Sequence, residues 1–402
     1  MGRPAYAGRP RFDIADIVRR HRPTLEAEQS LTVQQRRALS AIELCRTAAL
    51  GGHVEECRSC GYEHHHFHSC RNRHCPKCQA LAQQRWIAAR TERLLAVRHF
   101  HVVFTLPSQL RALTKYRPRE LFSALFASAS ATLLELGHSR LEAQLGITMV
   151  LHTWGQRLDQ HIHVHCVVTG GALSPDGERW IPAKPGFLFP VRALSAVFRA
   201  KYIEALAQAY QHGELHFAGS TAPLDDPAVF RGWLATLKDP DWVVYAKPPF
   251  AGAQQVLAYL GRYTHRVAIA NHRLVSFEDG QVRLRWRDYA HGNASKTMTL
   301  SAEEFLRRFL LHTLQRGFVR IRHYGLLGNR CRHQKLARCR ALLDQPAPEP
   351  CEPESPEVMM LRLTGIDIQC CPACQQGRLR VINTFAPTPS VRPTPKATGP
   401  PP

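Results

Sequence analysis

The chain has 402 residues, enough for two or three modules that each bury a core. Apolar residues make up 44% and the formal net charge is +21, so we expect a folded protein whose partner is a polyanion such as nucleic acid. An anionic membrane surface is the competing partner. No run of about 20 apolar residues is long enough to span a bilayer, and residues 1–20 do not resemble a signal peptide, so we expect no membrane insertion.

The thirteen cysteines are an odd number and fall partly in CxxC pairs. In a chain without an export signal this pattern favours metal binding over disulfides. We therefore expect a protein of the reducing cytoplasm that associates with the nucleoid.

Helices and strands are predicted in irregular alternation along the chain. Helices are expected at residues 11–50, 80–97, 109–137, 191–212, 254–264 and 302–316. Strands are expected at residues 99–106, 147–154, 161–169, 242–246, 274–277 and 282–286. Neighbouring strands are spaced as hairpins, so the order predicts an α+β fold with a mostly antiparallel sheet flanked by helices.

Three regions follow from this pass. Residues 1–97 are predicted to hold N-terminal helices and a small zinc-binding ribbon, and residues 98–335 the main α+β domain. Residues 336–402 are predicted to be a linker, a possible half zinc knuckle and a disordered Pro-rich tail.

Two CxxC pairs mark the ribbon: Cys57 with Cys60, and Cys75 with Cys78. Each pair can supply two thiolates to a tetrahedral Zn²⁺, and a segment so poor in apolar residues needs such a metal to fold. Free reduced thiols are the alternative. Other candidate ligands lie between the pairs: His68, Cys70 and His74.

Two further features have weaker signals. Arg71 and Arg73 lie in a basic run that suits phosphate contact, although a solvated basic loop is the alternative. The later pair Cys371 and Cys374, next to Cys370, provides only half a ribbon. It could pair with other cysteines or bind nothing; the candidates are Cys331, Cys339 and Cys351.

Three histidines alternate with β-branched residues in one predicted strand: His161, His163 and His165. On a strand of period two their rings share one face. Burying three imidazoles there is costly without a partner, and a divalent metal is a suitable one. A solvated polar strand face is the alternative. Two histidines with an oxygen ligand suit Mg²⁺ or Mn²⁺, whereas three suit Zn²⁺.

Two tyrosines, Tyr259 and Tyr263, lie four residues apart in a predicted helix and share one face. Positive side chains surround them, and we expect these to contact the DNA phosphates: Arg262, His265 and Arg266. A phenol is a poor nucleophile near pH 7, so it needs cationic neighbours and a polarised electrophile such as a metal-bound phosphate. The two tyrosines also fit an apolar stripe, so a purely structural role in the core is the alternative.

The zinc ribbon, the histidine strand and the Tyr-x-x-x-Tyr helix occur in an order that resembles the two-tyrosine HUH (His–hydrophobic–His) transposases of the insertion-sequence-ninety-one type. The HUH motif here is His163-Val164-His165. The segments Phe104–Pro107, Gly170-Gly171 and Tyr259–Arg266 also resemble that family, and the likeness covers about residues 12–335.

The resemblance implies an HUH-type palm, an antiparallel sheet that carries Mg²⁺ or Mn²⁺ with the tyrosine helix across it. It also implies nicking and rejoining of single-stranded DNA at transposon ends through 5′-phosphotyrosine intermediates, in rolling-circle transposition. The family places a third polar metal ligand nearby. Four residues are candidates here: Asp159, His161, Gln254 and Gln255.

Three other functions stay open at this point. One is a rolling-circle replication initiator or relaxase with the same nicking chemistry. Another is a non-enzymatic zinc-ribbon DNA-binding protein, in which the histidines and tyrosines are structural. A zinc hydrolase that uses the three strand histidines is the weakest, because no general base lies beside the motif.

Overall fold

We describe the fold from a computed structural model of the full chain. The structure describes residues 12–91, 94–186, 188–250, 255, 261, 268–289, 291–347 and 354–388. The two predicted nucleophiles, Tyr259 and Tyr263, lie outside the described residues.

The described residues form nine α-helices. They are α1 (Ile14–Glu28), α2 (Val33–Leu44), α3 (Ala80–Thr91), α4 (Pro118–Leu141), α5 (Val191–Gln211), α6 (Pro227–Thr236), α7 (Ala302–Leu310), α8 (Arg332–Leu342) and α9 (Pro356–Thr364). A capping box starts α2, since Gln35 N donates to Thr32 Oγ1 and Thr32 N donates to Gln35 Oε1. Such a cap contributes about 1 kcal/mol.

The described strands form three antiparallel sheets. The strands are β1 (Gly52–Cys57), β2 (Glu63–Phe67), β3 (His99–Thr105), β4 (Gln144–Trp154), β5 (Gln160–Leu173), β6 (Trp180–Pro182), β7 (Val244–Phe250), β8 (Leu274–Glu278), β9 (Gln281–Asp288), β10 (Ala294–Ser301), β11 (Ile321–Gly325) and β12 (Leu379–Phe385). The predicted α+β class with mostly antiparallel strands is confirmed.

The central sheet has the strand order β11-β4-β5-β3-β7, and β6 pairs with β5. Alternate residues of β5, such as Ile162, Val164 and Cys166, are buried in the largest core, together with side chains of α4 and α5. Because side chains alternate along a strand, the intervening histidines of β5 lie on the opposite face.

Helix α4 is long and apolar enough to span a membrane by length and composition. Its apolar side chains, among them Phe122, Leu125 and Phe126, are instead buried in the core beneath the central sheet. This is the packing of the core helix of a folded domain.

A second core joins the N-terminal helices to the sheet β8–β9–β10. Ile14, Ile17 and Leu39 from α1 and α2 are fully buried with Phe305 and Phe309 of α7. Helices α1 and α2 therefore pack against the C-terminal half of the main domain.

The third sheet has the order β12-β1-β2, so the C-terminal strand pairs with an N-terminal one. Gly52 faces Phe385 and Cys57 faces Leu379 in an antiparallel register. Residues 379–385 thus pair with the N-terminal zinc-binding unit, whereas the sequence placed them in a C-terminal region, residues 336–402, of linker, possible half zinc knuckle and Pro-rich tail. Residues 389–402 lie outside the described part of the chain.

Candidate functional site

The histidine face of the central sheet is built by two neighbouring strands. His163 and His165 are two residues apart on β5, and His152 on β4 is directly opposite His163 in the register. All three side chains are buried. Strand pairing therefore gathers three imidazoles that are separate in sequence.

The nitrogens of these rings converge on one point. Nε2 of His163 is 3.0 Å from Nε2 of His165, and the ligand atoms of His152, His163 and His165 all lie within 4.8 Å of one another. A divalent ion bound by imidazole sits about 2.0–2.1 Å from each nitrogen, so one ion fits among the three.

The hydrogen bonds of His163 fix its tautomer. Nδ1 of His163 lies 2.9 Å from the carbonyl oxygen of His161, and a carbonyl can only accept, so Nδ1 must donate. In the neutral ring Nε2 then carries a lone pair, which points at His165. On the other side Nδ1 of His165 is 2.8 Å from Nε2 of His101, and these two rings are stacked. Outer partners of this kind orient metal-binding imidazoles.

Burial keeps the cluster neutral. Desolvation lowers the pKa of His163 to about 3 and the pKa values of His152 and His165 well below their ordinary value. A neutral imidazole is the form that coordinates a metal. The cluster is thus ready to bind a cation at neutral pH without first losing protons.

The third nitrogen donor is His152, which the sequence did not single out. Of the predicted third ligands, His161 stands beside His163 with ring centroids 4.8 Å apart, outside the convergent set. Gln255 is exposed. Gln254 lies outside the described residues, and Asp159 lies against Gly155 in the β4–β5 turn. The only sequence signal for His152 was its place in the predicted strand 147–154. Its position opposite His163 depends on the β4–β5 register, which the sequence does not give.

Helix α3 covers the histidine face of the sheet. Trp86 packs against Val150 and Val167, which are each two residues from a cluster histidine on the same strand. Gly261, the residue midway between the two predicted tyrosines, is buried and lies against Gln83 and Ile87 of the same helix. The centre of the Tyr-x-x-x-Tyr segment is therefore adjacent to the helix that covers the histidines.

The four predicted ribbon cysteines are divided between two clusters, which corrects the single site expected from their spacing. Cys75 and Cys78 join two other cysteines, Cys45 and Cys70. Cys57 and Cys60 join the C-terminal pair: Cys371 and Cys374. Strand β2 lies between the two CxxC pairs in the chain, and β12 returns alongside β1 to bring Cys371 and Cys374 to Cys57 and Cys60.

Distances within the clusters match zinc–thiolate geometry. Cys57 Sγ lies 3.7 Å from Cys374 Sγ, and Cys60 Sγ lies 3.7 Å from Cys371 Sγ. Four sulfurs at about 2.3 Å from a tetrahedral Zn²⁺ are about 3.8 Å apart. Backbone N–H groups of Gln376 and Gly377 also lower the pKa of Cys374 to about 6, because they stabilise the thiolate. Both clusters suit structural zinc.

Comparison with known proteins agrees with this architecture. A family described as "Transposase zinc-binding domain" matches residues 17–106, and one described as "Putative transposase" matches residues 146–335. The chain is 51% identical to "Putative transposase y4qJ" of Sinorhizobium fredii, over 93% of this chain and 95% of that protein. The chain belongs to the insertion-sequence-ninety-one type of transposases.

A more distant relative is the "Transposase for insertion sequence element IS801" of Pseudomonas savastanoi pv. phaseolicola. It is 29% identical over 86% of this chain and 83% of its own length. Among solved structures, a metal-bound "Conjugative Relaxase Trwc In Complex With Orit DNA" is similar at 16% identity with a TM-score of 0.24, covering 42% of this chain and 71% of that chain. The family predicted from the order of the motifs is confirmed by the sequence relatives.

The basic residues predicted to contact DNA differ from one another in their surroundings. Arg71 is exposed, whereas Arg73 is partly buried and donates to the carbonyl oxygen of Phe318 at 2.9 Å. Arg73 therefore ties the cysteine loop to the main domain. The remaining three, Arg262, His265 and Arg266, lie outside the described residues.

An open groove of about 470 Å³ lies next to the histidine cluster of the transposase. Its walls include Trp154, Trp286, Tyr289, Arg273, Arg285 and Arg287. Trp154 also stacks on His152 with ring centroids 4.7 Å apart. One side chain thus joins the groove to the cluster, a connection that no local sequence pattern predicted.

Proposed function

We propose that this transposase nicks and rejoins single-stranded DNA at transposon ends through 5′-phosphotyrosine intermediates on Tyr259 and Tyr263, in rolling-circle transposition. The observation that carries the proposal is the convergence of three buried, neutral imidazoles on one point. Burying three imidazoles side by side is costly without a shared partner, and a divalent ion satisfies them together.

The ion would be held by His152, His163 and His165. His152 thus takes the place that was predicted for His161. When bound, a divalent cation polarises a phosphate oxygen and stabilises the charge that develops during displacement. His101 and the carbonyl of His161 would keep two of the rings oriented for this task.

The tyrosines would carry out a transesterification. The phenolic oxygen attacks the phosphorus, the P–O3′ bond breaks, and the released 3′ oxygen takes up a proton. One P–O bond forms and one breaks, so the bond energy is conserved and no ATP is consumed. A second tyrosine allows another strand to be attacked before the first phosphotyrosine is resolved.

The position of Gly261 supports this assignment of the nucleophiles. It packs on the helix whose Trp86 covers the histidine face. Gly261, midway between the two tyrosines in the sequence, is thus anchored beside the helix that covers the proposed metal site.

The groove beside Trp154 supports a single-stranded substrate. Arg285 and Arg287 are exposed, and Tyr289 is 64% exposed. The guanidinium of Arg157 lies 5.2 Å from the ring of Trp286. Proteins that bind single strands combine cationic grooves with aromatic rings on which bases stack. We propose that the strand next to the scissile phosphate lies here.

Covalent adduct formation tests the nucleophiles. A single-stranded oligonucleotide labelled at its 3′ end, carrying a transposon end, should label the wild-type protein, because the fragment with the 5′ phosphate becomes attached. Tyr259→Phe with Tyr263→Phe should abolish labelling, while Tyr245→Phe, a change at an exposed tyrosine on β7, should not. Labelling that survives in the double variant would refute the assignment.

The choice of metal can be tested in the same assay. EDTA should abolish the adduct. Because Mg²⁺ prefers oxygen ligands and Mn²⁺ binds imidazole more readily, Mn²⁺ should restore the adduct at a lower concentration than Mg²⁺. Full activity in EDTA would contradict a metal-dependent reaction.

A further inference from the structure

A third group of metal-binding side chains lies on the zinc-binding unit, apart from both cysteine clusters. His53 and Glu55 are two residues apart on β1, and β2 places His66 opposite His53 and His64 opposite Glu55. In an antiparallel pair, directly opposed residues project from the same face. The hairpin therefore presents three imidazoles and one carboxylate together on one side.

The donor atoms are close enough to share one ion. Nε2 of His66 is 2.9 Å from a carboxylate oxygen of Glu55, and Nε2 of His53 is 3.5 Å from the other oxygen. Nδ1 of His64 is 2.8 Å from Nε2 of His66. Ligands at about 2.0–2.1 Å from a tetrahedral ion are about 3.3–3.4 Å apart, so small side-chain movements would complete the shell.

We propose that His53, Glu55 and His66, with His64 as a fourth donor, form a binding site for a divalent transition-metal ion such as Zn²⁺. The rings of His53 and His66 are stacked with centroids 5.1 Å apart, so the two imidazoles flank the same carboxylate. Imidazole and carboxylate donors select Zn²⁺, Co²⁺, Ni²⁺ or Cu²⁺ over Mg²⁺ and Ca²⁺.

This site differs in character from the cysteine clusters. Its ligands are half-exposed, with 30%, 19% and 41% of the side chains of His53, Glu55 and His66 accessible. It also lacks thiolates, so we expect it to bind zinc less tightly than the cysteine clusters and to exchange it more readily. An ion here would link β1 to β2 at Glu55, two residues before Cys57. Cys57 ends β1 and belongs to the cysteine cluster that includes Cys371 and Cys374.

Cobalt titration of the full-length protein, with its cysteine clusters kept loaded with zinc, tests the site. His53→Gln with His66→Gln should take up one equivalent of Co²⁺ less than the wild type. His65→Gln is the matched control, since His65 lies on the same hairpin but faces the opposite side. Its Co²⁺ uptake should equal that of the wild type, and the comparison is independent of the DNA reaction.

Two further measurements keep the result interpretable. After dialysis that removes exchangeable metal, two equivalents of zinc in both the wild type and the double variant would show that the two cysteine clusters, and hence the fold, are retained. If the double substitution unfolds the hairpin, Glu55→Gln, which removes the anionic donor at nearly constant size, should still weaken Co²⁺ binding by more than about tenfold. Unchanged Co²⁺ stoichiometry and affinity in these variants would overturn the proposal.

Discussion

The cluster of Cys57, Cys60, Cys371 and Cys374 connects the two ends of the chain, so a substitution in its C-terminal half should have a large effect. In Cys371→Ser one of two buried thiols of the cluster is lost. We expect the protein to lose one equivalent of zinc, and the pairing of β12 with β1 to be weakened.

The size of the effect follows from the length of chain that the metal closes. Cys60 and Cys371 are 311 residues apart. If the metal is treated as a single cross-link, the chain-entropy relation gives about 6 kcal/mol of stabilisation at 25 °C for a loop of this length. That value is an upper limit, because the β1–β12 hydrogen bonds remain and three thiolates retain some affinity. A loss of several kcal/mol in the free energy of unfolding of the zinc-binding unit is expected.

The assay combines zinc content, urea unfolding and limited proteolysis of the full-length protein. Cys370→Ser is the matched control, since Cys370 is the adjacent residue but lies outside the cluster. In Cys371→Ser the chain between α8 and α9 should be cleaved faster and the unfolding midpoint should fall. If the two serine variants have the same zinc content and the same midpoint, the pairing of the chain ends through this cluster is refuted.

Three further predictions address the main domain. His152→Gln should abolish metal-dependent adduct formation, whereas His161→Gln should retain most of it; the same loss in both variants would contradict the assigned ligand set. Burial lowers the pKa of His312 to about 4. Between pH 6.5 and 4 the unfolded state therefore binds a proton that the native state does not, so the free energy of unfolding decreases as the pH is lowered. In urea unfolding, the free energy of unfolding of His312→Gln should therefore change with pH by about 1.4 kcal/mol per pH unit less than that of the wild type in this window. Identical slopes would show that His312 does not cause the pH dependence. Gly325→Ala should cost more than about 3 kcal/mol in thermal unfolding, because at φ +62° a new Cβ would meet the backbone of β4. Gly177→Ala, at φ +74° in open space, should cost only about 1–2 kcal/mol. Equal costs for the two variants would show that the contact of the new Cβ at position 325 with β4 is unimportant.

Local sequence patterns were sufficient to predict most helices and strands and part of the histidine site. The alternation of His161, His163 and His165 with β-branched residues predicted a strand with its imidazoles on one face, because a strand has a period of two wherever it lies. The capping box of Thr32 and Gln35 is equally local, since its two hydrogen bonds join residues three positions apart. The order of the motifs along the chain also sufficed to predict the family.

Tertiary structure decided which distant groups meet. His152 joins the cluster only through the β4–β5 register, and a shift of one residue would turn its ring to the other face. Likewise a CxxC pair specifies two thiolates but not the other two, so Cys57 and Cys60 find their partners only when β12 returns beside β1. Sequence spacing determines what a segment presents to its surroundings, whereas the pairing of segments depends on long-range packing that no local window contains.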